Sequence, residues 1–195
     1  IEFSLAVSTH ASEELVIARA WRAASDNHLL VIIPRHVQRG ASIARLLEEN
    51  GLRVTLRTEH RIPPSDTDIL IADTTGEVDD FCAHAKLIFV GGSMVKHGGH
   101  NVIEAAARGK ATIVGPHTDN FMDEVEYLRS RGALEIAENE QELASKWAEI
   151  STGESARHRL EAATIAAYRN LPDKVEEYIG LVAAAIDLHH AKTVQ

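Results

Sequence analysis

The chain has 195 residues, 45% of them hydrophobic, which suits one globular domain with a buried core. Its net charge of -9 argues against nucleic acid, which needs clustered Lys and Arg, but leaves room for one small phosphate-bearing ligand. A single cysteine, Cys82, excludes an internal disulfide framework and fits a reducing compartment, and no apolar run approaches the roughly 20 residues of a membrane span.

Short apolar runs alternate with amphipathic stretches, the pattern of a parallel sheet covered by helices on both faces, so the predicted class is α/β. The predicted strands are Phe3–Val7, His28–Ile33, Arg53–Arg57, Asp68–Ala72, Leu87–Val90, Thr112–Val114 and a weaker Ala133–Ile136. Between them, Ile17, Trp21 and Ala24 share one helix face, as do Ile43, Leu46 and Leu47, and later Phe121, Val125 and Leu128. From Gln141 onward the chain reads as helix only, with Leu143, Trp147 and Ile150 as one stripe. A last helix is opened by Pro172 and carries Val175, Ile179, Val182 and Ile186. No internal repeat or long linker interrupts residues 1–195, so a single domain is expected, with its C-terminal helices at about 141–190. The chain opens on a strand-like segment without Met, which suggests a piece of a longer protein.

The stretch "FVGGSMVKHGGHNVIEAAARGKATIVGP", Phe89 to Pro116, holds two Gly pairs within nine positions. Glycine inside a regular element costs about 0.5–1 kcal/mol relative to Ala, so these four serve a turn or a close approach. They lie between an apolar strand and a helix with Asn101 as its N-cap and Gly109 as its stop. Ligands of open α/β sheets bind at that edge, where backbone N–H groups and the helix dipole favour an anion. No G-x-G-x-x-G or G-x-x-x-x-G-K-[ST] pattern is present, and "GGSMV" lacks the second Gly of a nucleophile elbow. Two Gly pairs with Ser93 and Asn101 favour a phosphate or sugar site over a plain turn. His97 and His100 lack a third ligand at metal spacing, so a phosphate donor or turn-capping role is preferred and no metal is expected. Glu104 has two even readings, a capping box with Asn101 or an acceptor for ribose hydroxyls.

Other polar loops follow the remaining strands: "STHASEE" (Ser8–Glu14), "PRHVQR" (Pro34–Arg39), "DTTGEV" (Asp73–Val78) and "GPHTDNF" (Gly115–Phe121). In a parallel sheet all of them open on one rim, where Arg35, His36 and Arg39 bring positive charge to an otherwise acidic chain.

Taken in order, these motifs resemble the C-terminal half of the bacterial 3-deoxy-D-manno-octulosonic acid (Kdo) transferases, two-domain GT-B glycosyltransferases. The family patterns are STHxGEE, PRHPxR, DTxGEL, FVGGSLxxxGGHNxxEPA and GPHxxNF, and the match runs from about Ser8 to Leu143. Ser12 replaces a Gly, Val37 replaces a Pro, and Glu104-Ala105-Ala106 stands where Glu-Pro-Ala is usual. The resemblance implies a Rossmann-like domain that holds the donor CMP-Kdo, for transfer to a lipid A precursor in lipopolysaccharide synthesis. That transfer takes place at the cytoplasmic face of the inner membrane, without a cofactor. It implies that Gly91, Gly92 and Ser93, with Gly98, Gly99, His100 and Asn101, hold the phosphate and that Glu104 takes the ribose. Arg35 and His36 are expected near phosphate and base, Thr75, Gly76 and Glu77 near cytosine, and Ser8 and Thr9 at the cleft border. In the family the acceptor-binding half, the catalytic base and any membrane anchor precede this segment. The catalytic base is therefore left unassigned and the isolated segment is expected to be inactive. If a base did lie within it, Glu13, Glu14 and Glu77 would be the first candidates. The competing readings are another GT-B sugar-nucleotide enzyme, such as a UDP-sugar epimerase or glycosyltransferase, and a non-catalytic nucleotide-binding module.

Overall fold

The structure, a computed structural model, describes residues 1–25 and 28–171; the helix predicted after Pro172 lies outside them. Seven strands form one sheet: β1 (Phe3–Thr9), β2 (Leu29–Pro34), β3 (Val54–Leu56), β4 (Ile69–Ile71), β5 (Ile88–Val90), β6 (Thr112–Val114) and β7 (Glu135–Ile136). Every pairing is parallel, and the order is β3-β4-β2-β1-β5-β6-β7. The strands sit where the apolar runs predict them, trimmed at some ends. The weak run at Ala133–Ile136 supplies a two-residue edge strand, with Ala133 and Leu134 buried ahead of it.

The central strands are apolar on both faces because both faces are covered. On one face, Ala6, Ile32, Ile71 and Phe89 pack with Ile17 and Trp21 of α1 (Glu14–Ala23) and Ile43 and Leu47 of α2 (Gly40–Glu49). Trp147 of α6 (Glu140–Thr152) joins them, fully buried. On the other face, Leu5, Val7, Val31 and Val90 pack with Cys82 of α3 (Val78–His84), Ala105 and Ala106 of α4 (Ile103–Ala107), and Val125 and Leu128 of α5 (Met122–Arg129). The last described helix, α7 (Glu154–Arg169), crosses from one layer to the other: Leu160 belongs to the first core and Ala167 to the second. Thr164 fastens it to the loop ahead of β7 by donating to the Ala133 carbonyl at 2.9 Å.

The connection after β1 leads to one side of that strand, and the connection after β4 returns to β5 on its other side. The carboxyl ends of β1 and β5 therefore diverge into a crevice, the usual ligand position in open α/β sheets.

Candidate functional site

The loops at this crevice are held together by one buried carboxylate. Glu13, fully buried, accepts the N–H of His10 at 2.8 Å and of Gly92 at 2.6 Å on Oε1, and that of Met94 at 3.3 Å on Oε2. Burial pushes its carboxyl up to about 7, against the opposing pull of those three N–H groups. Its neighbour Glu14 is equally buried; it accepts from Thr9 Oγ1 at 3.2 Å and pairs with Arg39 Nη1 at 2.7 Å. Both carboxylates are sealed beneath the rim.

This arrangement engages several donors of the expected phosphate cradle within the protein. The Gly91 N–H donates to the Val7 carbonyl and the Gly92 N–H to Glu13, so neither faces the crevice. Ser93 is buried, with its hydroxyl donating to Val90 O at 2.6 Å and accepting from Gly115 N at 2.8 Å. Thr9 is likewise buried and engaged by Glu14. These bonds fix the shape of the crevice, and Gly92 lies against the His100 and His10 rings at its mouth. Gly91 is required by close approach: a Cβ there would stand 2.6 Å from Ser8 O and 2.7 Å from Glu13 Oε1.

The second glycine pair turns the chain instead. Gly98 and Gly99 have φ of +83° and +76°, a left-handed conformation that side chains disfavour. The "GPHTDNF" loop clasps this turn: Asn120 Nδ2 donates to His97 O at 3.0 Å and the Asn120 N–H to Gly98 O at 2.9 Å.

Beside that turn lies a cleft of about 220 Å³ bordered by Ser8, Arg35, His100, Asn101, Glu104 and Phe121, with Cys82 at its wall. The first five of these were singled out by the sequence. Ser8 is a strained residue with φ +58°, at the point where β1 slips register against β2. Asn101 Oδ1 accepts from the Ile103 N–H at 2.9 Å and its amide donates to Glu104 Oε1 at 3.3 Å. The helix starts one residue later than expected, with Val102 as its N-cap, so these bonds form a turn ahead of it and not a capping box, and the Glu104 carboxylate remains exposed at the cleft. This helix is one short turn of five residues, so its dipole is weaker than the sequence suggests. Burial, with Arg35 and the neighbouring imidazoles, holds His100 below its ordinary pKa.

Four histidines from three loops gather at the mouth. His10 stacks on His97 with ring centroids 4.0 Å apart and on His100 at 5.0 Å, while His36 meets it edge-on at 6.2 Å. His10 Nε2 and His100 Nε2 are 2.7 Å apart, so one ring donates and the other accepts. His10 is lowered to about 4, first by burial and then by His97, His100, His36 and Arg39. The sequence reading overlooked His10, although it stands within "STHASEE". Among the described residues no group of three or more His, Cys, Asp or Glu is placed to hold a metal.

Arg35 and His36 are exposed on the same rim. Thr75, Gly76 and Glu77 lie at the carboxyl end of β4 and do not border the cleft. Glu77 is committed to Arg57 through a paired contact (2.6 and 3.2 Å) and to Thr74, and these bonds draw its carboxyl down to about 2.

No protein-family profile matches the chain. It is 35% identical over 177 residues to the 3-deoxy-D-manno-octulosonic acid transferase of Bordetella pertussis, covering 86% of this chain and 41% of that protein. The same-named protein of Haemophilus influenzae is 32% identical over 160 residues, 80% of this chain and 38% of its own length. The chain thus spans about two fifths of the length of these relatives. The crystal structure of the C-terminal CMP-Kdo binding domain of WaaA from Acinetobacter baumannii superposes with a TM-score of 0.79 at 26% identity, over 85% of this chain and 88% of that one. The spinosyn rhamnosyltransferase SpnG, 17% identical with a TM-score of 0.54, shares the fold. In sequence and in Rossmann-like fold, the chain belongs with the Kdo transferases, GT-B glycosyltransferases, and corresponds to their C-terminal domain.

Proposed function

We propose that this chain is the donor-binding domain of a Kdo transferase and that its cleft holds CMP-Kdo. The observation that carries this reading is the convergence of Ser8, Arg35, His100, Asn101 and Glu104 on one cleft at the switch point of the sheet. In this proposal the turn at Gly98–Asn101, with Arg35 and His100, receives the phosphate. Glu104 accepts hydrogen bonds from the ribose hydroxyls, and the Thr75–Glu77 segment meets the base, with Glu77 fixed by Arg57. Gly91, Gly92, Ser93 and Thr9 contribute by holding that geometry.

The chemistry accounts for these residue types. Cleaving the bond between the anomeric carbon and the phosphate oxygen leaves CMP as an anion and the sugar with oxocarbenium character. The Gly99 N–H is held by Gly92 O at 2.9 Å, so Arg35, His100 and the Asn101 amide are the groups proposed to favour the state in which negative charge has moved onto the phosphate, and their binding energy acts on the transition state. The acceptor, proposed to be a lipid A precursor at the inner membrane, and the base that activates its hydroxyl are assigned to the remaining part of such an enzyme. Orienting donor and acceptor together is worth about 7–11 kcal/mol of barrier, so residues 1–195 alone are expected to bind the donor without transferring it.

The test is calorimetric titration with CMP, UMP and UDP. Binding of CMP in preference to UMP supports the proposal. Equal binding of CMP and UMP, or preference for UDP, favours a UDP-sugar enzyme and overturns it.

A further inference from the structure

Resting on that reading, we propose that His97, His10 and His100 form a second anion subsite, which receives the carboxylate of the donor sugar beside its phosphate. An ulosonic acid carries its carboxylate on the anomeric carbon, so the carboxyl carbon stands only three bonds from phosphorus. A receptor for the second anion must therefore adjoin the receptor for the first. His100 borders the nucleotide cleft, and the next ring beyond it is His10, its Nε2 2.7 Å from that of His100. His97 closes the stack on the other face of His10 at 4.0 Å.

Three features make this stack a receptor and not simply packing. Each ring comes from a glycine-rich or strained loop whose backbone is fixed: His10 through Glu13, His97 through Asn120. Among the described residues no carboxylate is hydrogen-bonded to the rings of His10, His36, His97 or His100, so their donors are not spent on an internal anion. The groups acting on the His10 ring are His36, His97, His100 and Arg39, with Arg35 acting on His100, all of them basic, while the buried Glu13 carboxyl holds the His10 backbone N–H. The His10–His100 contact, with its two nitrogens 2.7 Å apart, accommodates one proton between them. An arriving carboxylate separates the two nitrogens, and the pair takes up a second proton to meet it. Donor binding is thus coupled to proton uptake, and it strengthens as the pH falls towards about 4, where the free His10 ring titrates.

The probes are two stable CMP esters, the carboxymethyl ester, which places a carboxylate on the carbon bonded to the phosphate oxygen, and its neutral carbamoylmethyl analogue. Calorimetry on residues 1–195, in two buffers of different ionisation heat, gives affinity and protons bound. We expect about a tenfold preference for the carboxymethyl ester at pH 6.5, as for a hydrogen bond to a charged group, with extra proton uptake for that ester alone. In His97→Gln, an exposed position safe for folding, and in His10→Gln, the ratio should fall towards one. Equal affinity for the two esters in the wild type, or an unchanged ratio in both variants, would overturn the subsite while CMP binding stands. Failure to bind CMP at all would instead remove the donor-domain reading on which it rests.

Discussion

Glu13 Oε1 accepts the Gly92 N–H at 2.6 Å, joining the loop after β1 to the loop after β5 across 79 residues of sequence. The same oxygen takes the His10 N–H. A backbone pocket that in other α/β proteins attracts a ligand anion is here occupied by the protein's own carboxylate.

Two substitutions at this position separate charge from hydrogen bonding. Glu13→Ala leaves the N–H groups of His10, Gly92 and Met94 without their acceptor and should destabilise by about 2–4 kcal/mol. Glu13→Gln keeps one acceptor oxygen and should cost about 1 kcal/mol. Because the folded carboxyl titrates near 7 against an ordinary 4.5, the folded state between those values holds a proton that the unfolded chain has released. Glu13's contribution therefore falls as pH rises through 4.5 to 7 and stays low above 7. The difference in thermal midpoint between wild type and Glu13→Gln, followed across pH, should change over that window. A constant difference would place the titration elsewhere.

Ser12 illustrates a substitution tolerated at a price in strain. It has φ +77°, left-handed backbone, at the position where the family motif has Gly. A non-glycine residue there costs about 1–2 kcal/mol, partly offset by the greater freedom of Gly in the unfolded chain. Ser12→Gly should therefore stabilise by about 1 kcal/mol in urea unfolding. Ser8 has a similar φ, but it borders the cleft, so its strain belongs to the site.

Strand order aside, much of this was legible in the sequence. Apolar runs such as Leu87–Val90 are unambiguous because burial on both faces leaves few polar residues. Loops placed after successive parallel strands necessarily share one rim. What the sequence could not disclose was which donors remain free. Gly91, Gly92 and Ser93 have the composition of a phosphate loop, yet the two glycine N–H groups and the Ser93 hydroxyl are taken by Val7, Glu13 and Val90, partners distant in sequence or on the preceding strand. The histidine stack was hidden for the same reason, since His10 and His100 lie 90 positions apart.

Gly91→Ala tests whether close packing at the switch point is required. A methyl there meets a backbone carbonyl and a carboxylate fixed by three N–H groups, neither of which can yield. The expected loss is about 1–3 kcal/mol, with weakened CMP binding as the two loops separate. Gly51→Ala is the control: φ is +77° and nothing lies within 4 Å of the added carbon, so only backbone strain is incurred. Similar losses at the two sites but unaltered CMP affinity in Gly91→Ala would refute the packing argument.

The role of Glu104 can be separated from helix capping by a double-mutant cycle in which the ligand supplies the second change. The carboxylate accepts from Asn101 Nδ2 at 3.3 Å through Oε1 and is exposed beside the cleft, so both a cap and a ribose contact are sterically open to it. If it meets the ribose hydroxyls, Glu104→Gln should weaken CMP by about 1.5–3 kcal/mol, the worth of a hydrogen bond to a charged group. The same substitution should have little effect on 2′,3′-dideoxy-CMP, because the interaction is already missing from that ligand. Capping behaves differently: it would alter the loop for both nucleotides equally, and it would lower the unfolding midpoint even without ligand. Four titrations and two melting curves thus distinguish the two roles. Equal losses for CMP and its dideoxy analogue would return Glu104 to the status of a capping residue.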